Sequence, residues 1–381
     1  MFKKLLAFVL CAAMLAGCGK AGAGLPASSA EPEVQDEPVY TYKDPDPDMV
    51  LATSPYGDVT YKDYRLYIDI SESIARYNAR QNAAMAAVLE YDLKKMGIEI
   101  DEDAFNAQAD SSVEVMKNYF EDFESELGQL SEIAGLTEEQ TVDAIKFGFR
   151  SEFLVEKMGA AIEEKAAKEY NPPAAPMNDS GEPSADFELI KQQGIYDLAT
   201  RMMEQYSKEM NYRLSFDKDD VLVTVDGEDI AYFDEASNFI AYSAAASRLD
   251  TVSFVQQGEL MLRALEEKGI KIDVDVINAE HDEYIKSLKG EEEQLKRLID
   301  LCAPLGAGAD DYFEALRRPL VLETAVNRYY QMVDEEYAKL VEQNTNDSGD
   351  PTGSIPSPDQ YYVDGMKALM QGSELVNISG K

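Results

Sequence analysis

The chain repeats itself, and this limits what it can fold into more than any other feature does. Residues 93–107 read LKKMGIEIDEDAFNA and residues 265–279 read LEEKGIKIDVDVINA. Eight of these fifteen positions are identical: Leu93/Leu265, Gly97/Gly269, Ile98/Ile270, Ile100/Ile272, Asp101/Asp273, Asp103/Asp275, Asn106/Asn278 and Ala107/Ala279. Average composition would give about one. In a register shifted by one residue, 50–63 (VLATSPYGDVTYKD) aligns with 221–234 (VLVTVDGEDIAYFD). The matches there are Val50/Val221, Leu51/Leu222, Thr53/Thr224, Asp58/Asp229, Tyr61/Tyr232 and Asp63/Asp234. The body is therefore a duplicated unit of roughly 120 residues, an ordinary domain size, with copies at 49–170 and 220–341.

Local signals define what each copy contains. Residues 221–225 are rich in β-branched side chains and Asp226-Gly227 supplies a tight turn, which predicts a strand and a hairpin. Thr60 followed by Asp63 predicts a helix start. A second helix is expected after it, with Met85, Val88, Leu89, Leu93 and Met96 on one face in the first copy. Phe254, Met261 and Leu265 do the same in the second copy. Gly97 and Gly269 stand where a left-handed helix terminator belongs. Asp101 and Asp273 then cap a third helix, whose first-turn acids suit its dipole. Thr137 with Gln140 forms a capping box opening a long helix through Val142, Ile145, Phe149, Phe153 and Met158. The copies carry Gly148 and Pro319 at the aligned place in that helix, and Pro319 is expected to kink it.

The segments outside the copies read differently. Residues 1–17 have the layout of a secretory signal, with Lys3 and Lys4 ahead of an apolar run. The signal ends Leu15-Ala16-Gly17-Cys18, the pattern of a bacterial lipoprotein in which the Cys18 thiol carries the lipid. Residues 18–48, rich in Gly, Pro, Ser and acid, form a flexible tether. Residues 171–219 are a Pro-rich break followed by an amphipathic connecting helix at about 186–212. Residues 342–381 are expected to be mostly disordered, with room for one short docked helix through Tyr361, Met366, Leu369 and Met370.

Composition removes several functions. Asp and Glu number 73 against 35 Lys and Arg, a net charge of −38. Nucleic-acid binding needs a basic footprint and is disfavoured. One histidine and three cysteines supply neither a His-rich metal site, nor a Ser-His-Asp triad, nor a disulfide scaffold. Phosphate-loop, zinc-protease and C-x-x-C motifs are absent from the sequence. Asp101–Asp103 and the acids of 217–220 lack the calcium-loop pattern and read as solvated helix starts. Cys302 reads as a small buried hydrophobe, and His281, in the polar stretch AEHDEYIK, as a solvated surface histidine.

The carrying motifs VTVDGEDI (223–230), KKMGIEIDED (94–103), EKGIKIDVD (267–275) and GLTEEQTVDAIKFGFRSEFLVEK (135–157) resemble the SurA/PrsA-type N-terminal chaperone domain. The resemblance covers both copies, about two thirds of the chain. It implies a mostly α fold of two tandem SurA-N-like helical domains, each with a short N-terminal β-hairpin or strand. It also implies an extracytoplasmic chaperone that cradles unfolded secreted polypeptides between helices. Relatives usually carry a parvulin prolyl-isomerase domain as well. The fifty residues between the copies here are too few for one, so catalysis is not expected.

The expected protein is a lipid-anchored holdase outside the cytoplasm, working without cofactor, metal or nucleic acid. Its partners are unfolded or newly secreted polypeptides, and the membrane through its lipid. An adaptor or scaffold binding one particular envelope partner remains the alternative. Met202, Met203 and Met210 of the connecting helix are the candidate client-binding residues, since thioethers adapt to many sequences. Packing of these methionines onto the first copy is the competing reading.

Overall fold

The computed structural model describes residues 49–53, 58–120, 123–172, 187–215, 221–345, 355–371 and 374–375. The signal segment, Cys18, the tether at 18–48 and most of the Pro-rich break lie outside the described residues. The class is mostly α. No described helix is long and apolar enough to cross a membrane.

The two copies fold into the same order of elements. The first runs β1 (Val50–Thr53), β2 (Val59–Thr60), α1 (Tyr61–Lys95), α2 (Glu102–Tyr119), α3 (Phe123–Ala134), α4 (Glu138–Gly148) and α5 (Arg150–Glu169). A connecting helix α6 (Phe187–Arg213) and a short strand β3 (Leu214–Ser215) follow. The second copy runs β4 (Val221–Val225), β5 (Glu228–Tyr232), α7 (Phe233–Glu267), α8 (Val274–Leu288), α9 (Glu292–Cys302), a 3-10 turn at Ala303–Leu305 and α10 (Ala309–Gln343). Helix α11 (Pro358–Leu369) and strand β6 (Glu374–Leu375) close the described chain.

Most local signals produce their elements. Asp226 and Gly227 take positive φ of 53° and 86°, the turn that matches the twist of a hairpin. Gly97 and Gly269 sit at φ 76° and 74° and end α1 and α7. Asp101 accepts from the Ala104 amide at 2.9 Å, and Asp273 from the Val276 amide at 3.2 Å, capping α2 and α8. The Thr137–Gln140 capping box opens α4 with both of its hydrogen bonds.

Two expectations are corrected. The two helices expected after Thr60 are one continuous 35-residue helix, and the second copy repeats this in α7. Nothing in 61–95 is Gly or Pro, so nothing stops the first helix. The long helix expected after Thr137 is broken in the first copy and whole in the second. Phe149 separates α4 from α5 at φ −83°, ψ −10°, whereas α10 runs unbroken across the buried Pro319. In the tail, the short helix expected around Tyr361, Met366 and Leu369 is α11, whose N-cap Ser357 accepts from the Gln360 amide, with Pro358 at the first turn.

The compact units do not follow the copies one after the other. One unit comprises Arg76–Tyr242, and the other takes the described part of Thr41–Ala75 together with Ser243–Lys381. The divisions fall inside α1 and α7. Each unit thus joins the later part of one copy to the hairpin and first helical turns of the other.

Within the first unit, Leu93, Phe105, Phe153, Leu154, Met158 and Ile162 form the core. Its sheet has the order β3-β4-β5, all antiparallel. Gly148 is small because the Phe239 ring sits where its Cβ would be, 3.1 Å away. Arg150 reaches Glu90 at 2.7 Å and Glu102 at 2.8 and 2.9 Å while stacking 5.1 Å from the Phe105 ring centre.

Within the second unit, Ile70 packs with Leu298, Cys302 and Phe313, flanked by Leu66 and Ile74. Its sheet has the order β2-β1-β6, again antiparallel. Buried Glu259 accepts two guanidinium nitrogens of Arg318 at 2.7–2.9 Å and the Tyr64 hydroxyl. Arg248 is fully buried, 3.5 Å from Glu72 and over the Tyr61 ring.

Candidate functional site

Helix α6 is the element whose sequence and packing fit each other least, and that makes it the candidate. It lies along α5 in the first unit. Ile195, Leu198, Met202, Met203 and Tyr206 lean on the core there, yet of its described side chains only Ala199 is fully buried. The Tyr206 hydroxyl donates to Asp92 at 2.9 Å and fixes the helix laterally. Gly194 permits the close approach, since a Cβ there would fall within 2.0 Å of the Tyr170 hydroxyl oxygen.

The N-terminal half of α6 leaves an apolar cluster open beside its packed face. Leu189, Ile190 and Tyr196 are 68%, 45% and 63% exposed. Leu189 and Tyr196 stand seven residues apart and share a face, with Ile190 beside them. Large apolar side chains in such a cluster mark a binding surface more often than singly scattered ones do.

The expected methionines occupy a different place. Met202 and Met203 are part-buried against the core of the first unit, where they help hold α6 down. Met210 belongs to α6, but its side chain lies outside the described residues. Cys18 also lies outside them. The residues expected to bind clients did not include Leu189, Ile190 or Tyr196. The signal was present: apolar residues at 189, 190, 195, 196, 198, 202, 203 and 206 cover far more of the helix than one buried stripe needs.

His281 corrects the expectation of a solvated histidine. It is 4% exposed, and its Nε2 lies 2.8 Å from the Phe313 carbonyl oxygen. It is the one fully buried residue of α8 among those described, so a polar-looking stretch turns its single histidine inward to hold the helix. Cys302 is fully buried as expected, and burial raises its thiol pKa above the ordinary value, with Asp311 adding to the effect. A protonated, inaccessible thiol is a poor nucleophile. Among the described residues no three His, Cys, Asp or Glu side chains gather as a metal site. What this arrangement offers is an apolar contact surface.

The sequence matches no known family model, no curated protein and no solved structure.

Proposed function

We propose that the chain is a lipid-anchored holdase of the bacterial cell envelope that binds unfolded secreted polypeptides without catalysis. One observation carries this reading. Helix α6 packs on the core of its unit through Ile195, Leu198, Met202, Met203 and Tyr206 and leaves Leu189, Ile190 and Tyr196 exposed beside that contact. The lipoprotein-type signal ending at Cys18 and the resemblance of both copies to the SurA/PrsA-type chaperone domain support the location and the client class. The acidic surface keeps such an exposed apolar face soluble.

The test is aggregation of an unfolded client followed by light scattering. Leu189→Ser, Ile190→Ser and Tyr196→Ser together should weaken protection at unchanged thermal stability, because exposed side chains contribute little to folding. Met202→Ser with Met203→Ser should instead lower stability, by about 1–3 kcal/mol given their partial burial. Full protection by the triple variant removes α6 from the site. Capture of one folded partner, with no effect on unfolded chains, would favour the adaptor reading. The anchor is checked by mass spectrometry of the mature N-terminus, which should be a lipid-modified Cys18.

A further inference from the structure

The two copies end alike. In the first unit α5 is followed by α6, which lies along it, and then by β3, which adds to β4. In the second unit α10 is followed by α11, which lies along it, and then by β6, which adds to β1. Each copy is thus closed by a strap of one helix and one two-residue strand.

The straps differ in chemistry. The first brings Ile195, Leu198, Met202 and Met203 to its helix, with one tyrosine, Tyr206, bonded to Asp92. The second brings Tyr361 and Tyr362, and none of its residues is fully buried. Tyr361 pairs with Tyr337 at 5.3 Å between ring centres, and Tyr362 with Tyr330 at 6.1 Å. The Tyr362 hydroxyl donates to Asp334, and the Tyr337 hydroxyl donates to the Pro356 carbonyl at 3.0 Å. Tyr330, Asp334 and Tyr337 stand at i, i+4 and i+7, one stripe along α10. Leu375 lies opposite Ala52 and Glu374 opposite Thr53, two residues on a strand of four.

We infer that the Tyr330–Asp334–Tyr337 stripe of α10, together with the edge of β1, is an acceptor for polypeptide segments, with α11 and β6 as its resident occupants. The fitting partner is an unfolded chain whose helical turn carries adjacent aromatics and whose next few residues extend into a strand. Tyrosine supplies broad contact at low entropic cost together with a polar end, so such a contact exchanges readily. Strand addition supplies main-chain hydrogen bonds that do not depend on sequence. The same position in the other unit is filled by a strap of different sequence, so this architecture accepts different sequences. The inference rests on the client-binding reading, but its readout does not involve α6.

The experiment uses the full chain and a labelled synthetic peptide spanning 355–375, followed by fluorescence anisotropy. In the intact protein the resident strap should exclude the peptide. Tyr361→Ser with Tyr362→Ser should weaken the strap and raise peptide affinity at least tenfold, and an unfolded client should compete the peptide away. Adding Tyr330→Ser and Tyr337→Ser should remove that gain. Should the strap variant melt early, Leu375→Pro, which deletes one backbone donor of β6, serves as the second probe. A folded variant of either kind that gains no peptide affinity overturns the inference, as does bound peptide that no client displaces. Loss of the α6 holdase result leaves this readout intact, so the two failures are distinguishable.

Discussion

Alanine at Gly258 should destabilise the protein even though alanine is the better helix former. Gly258 lies in the interior of α7, where glycine costs about 1 kcal/mol relative to alanine. A Cβ built there would lie 2.8 Å from the Leu322 Cβ, 3.3 Å from its Cδ1 and 3.4 Å from its Cγ. The first of these atoms is anchored to the backbone of α10 and cannot swing aside. Comfortable carbon contacts begin at about 3.5–4.0 Å, so the two helices would have to part by roughly 1 Å. Leu322 is fully buried, and the adjacent Glu259 is tied to Arg318 across the same contact. Overpacking of this kind costs about 1–3 kcal/mol. Set against the propensity gain, Gly258→Ala should lose about 1–2 kcal/mol, or several degrees in Tm. Gly159 in α5 is the control, because nothing lies within 4 Å of its Cβ position. Gly159→Ala should gain about 0.5–1 kcal/mol. Urea titration followed by circular dichroism measures both, with an unchanged slope confirming that stability alone has moved. Equal or greater stability of Gly258→Ala, or a loss at Gly159→Ala, would refute the reasoning.

Two further predictions follow from pairings within each unit. Burial pushes Glu90 up, but hydrogen bonds from Lys94 and Arg150 more than offset it, and the Arg150 hydrogen bond chiefly lowers Glu102. Both carboxyls are thus held below their usual range in the folded state. Their stabilisation is present above the ordinary carboxylate pKa of about 4 and is lost as pH falls through the folded values. Arg150→Met should therefore cost about 2 kcal/mol at pH 7, less for the half-exposed Glu102, and much less below pH 4. A cost independent of pH, read from urea midpoints across that range, would count against the pairing. A protease site placed within 216–220 and cut in the folded protein should leave the two pieces bound together. The reason is that β3 on one piece pairs with β4 on the other, and Tyr64 on one bonds Glu259 on the other. Two separately folded pieces on gel filtration would contradict the division of the chain described above.

Interactions that close within a few residues were legible in the sequence. Asp101, Asp273 and Thr137 cap helices three residues or fewer away, Gly97 and Gly269 end them, and Asp226-Gly227 turns a hairpin. Each needs only its own neighbours, so residue type and spacing suffice. The duplication was equally plain, since it is a comparison of the sequence with itself. The open face of α6 was half legible, as an apolar arc too wide for one buried stripe.

Tertiary structure decided everything that depends on which partner an apolar stripe meets. A stripe says that a face will be buried but not by what. Ile70 of the first copy therefore packs with Cys302 and Phe313 of the second, and Phe239 of the second fills the space beside Gly148 of the first. His281 stands in a polar run that reads as solvent-facing, yet the Phe313 carbonyl, thirty-two residues on, draws it inward. Met202 and Met203 serve the core, because α6 lies on α5 by that side and turns Leu189, Ile190 and Tyr196 outward. The physical reason is common to all four cases: burial is a property of pairs of surfaces, and a single chain segment carries only one of them.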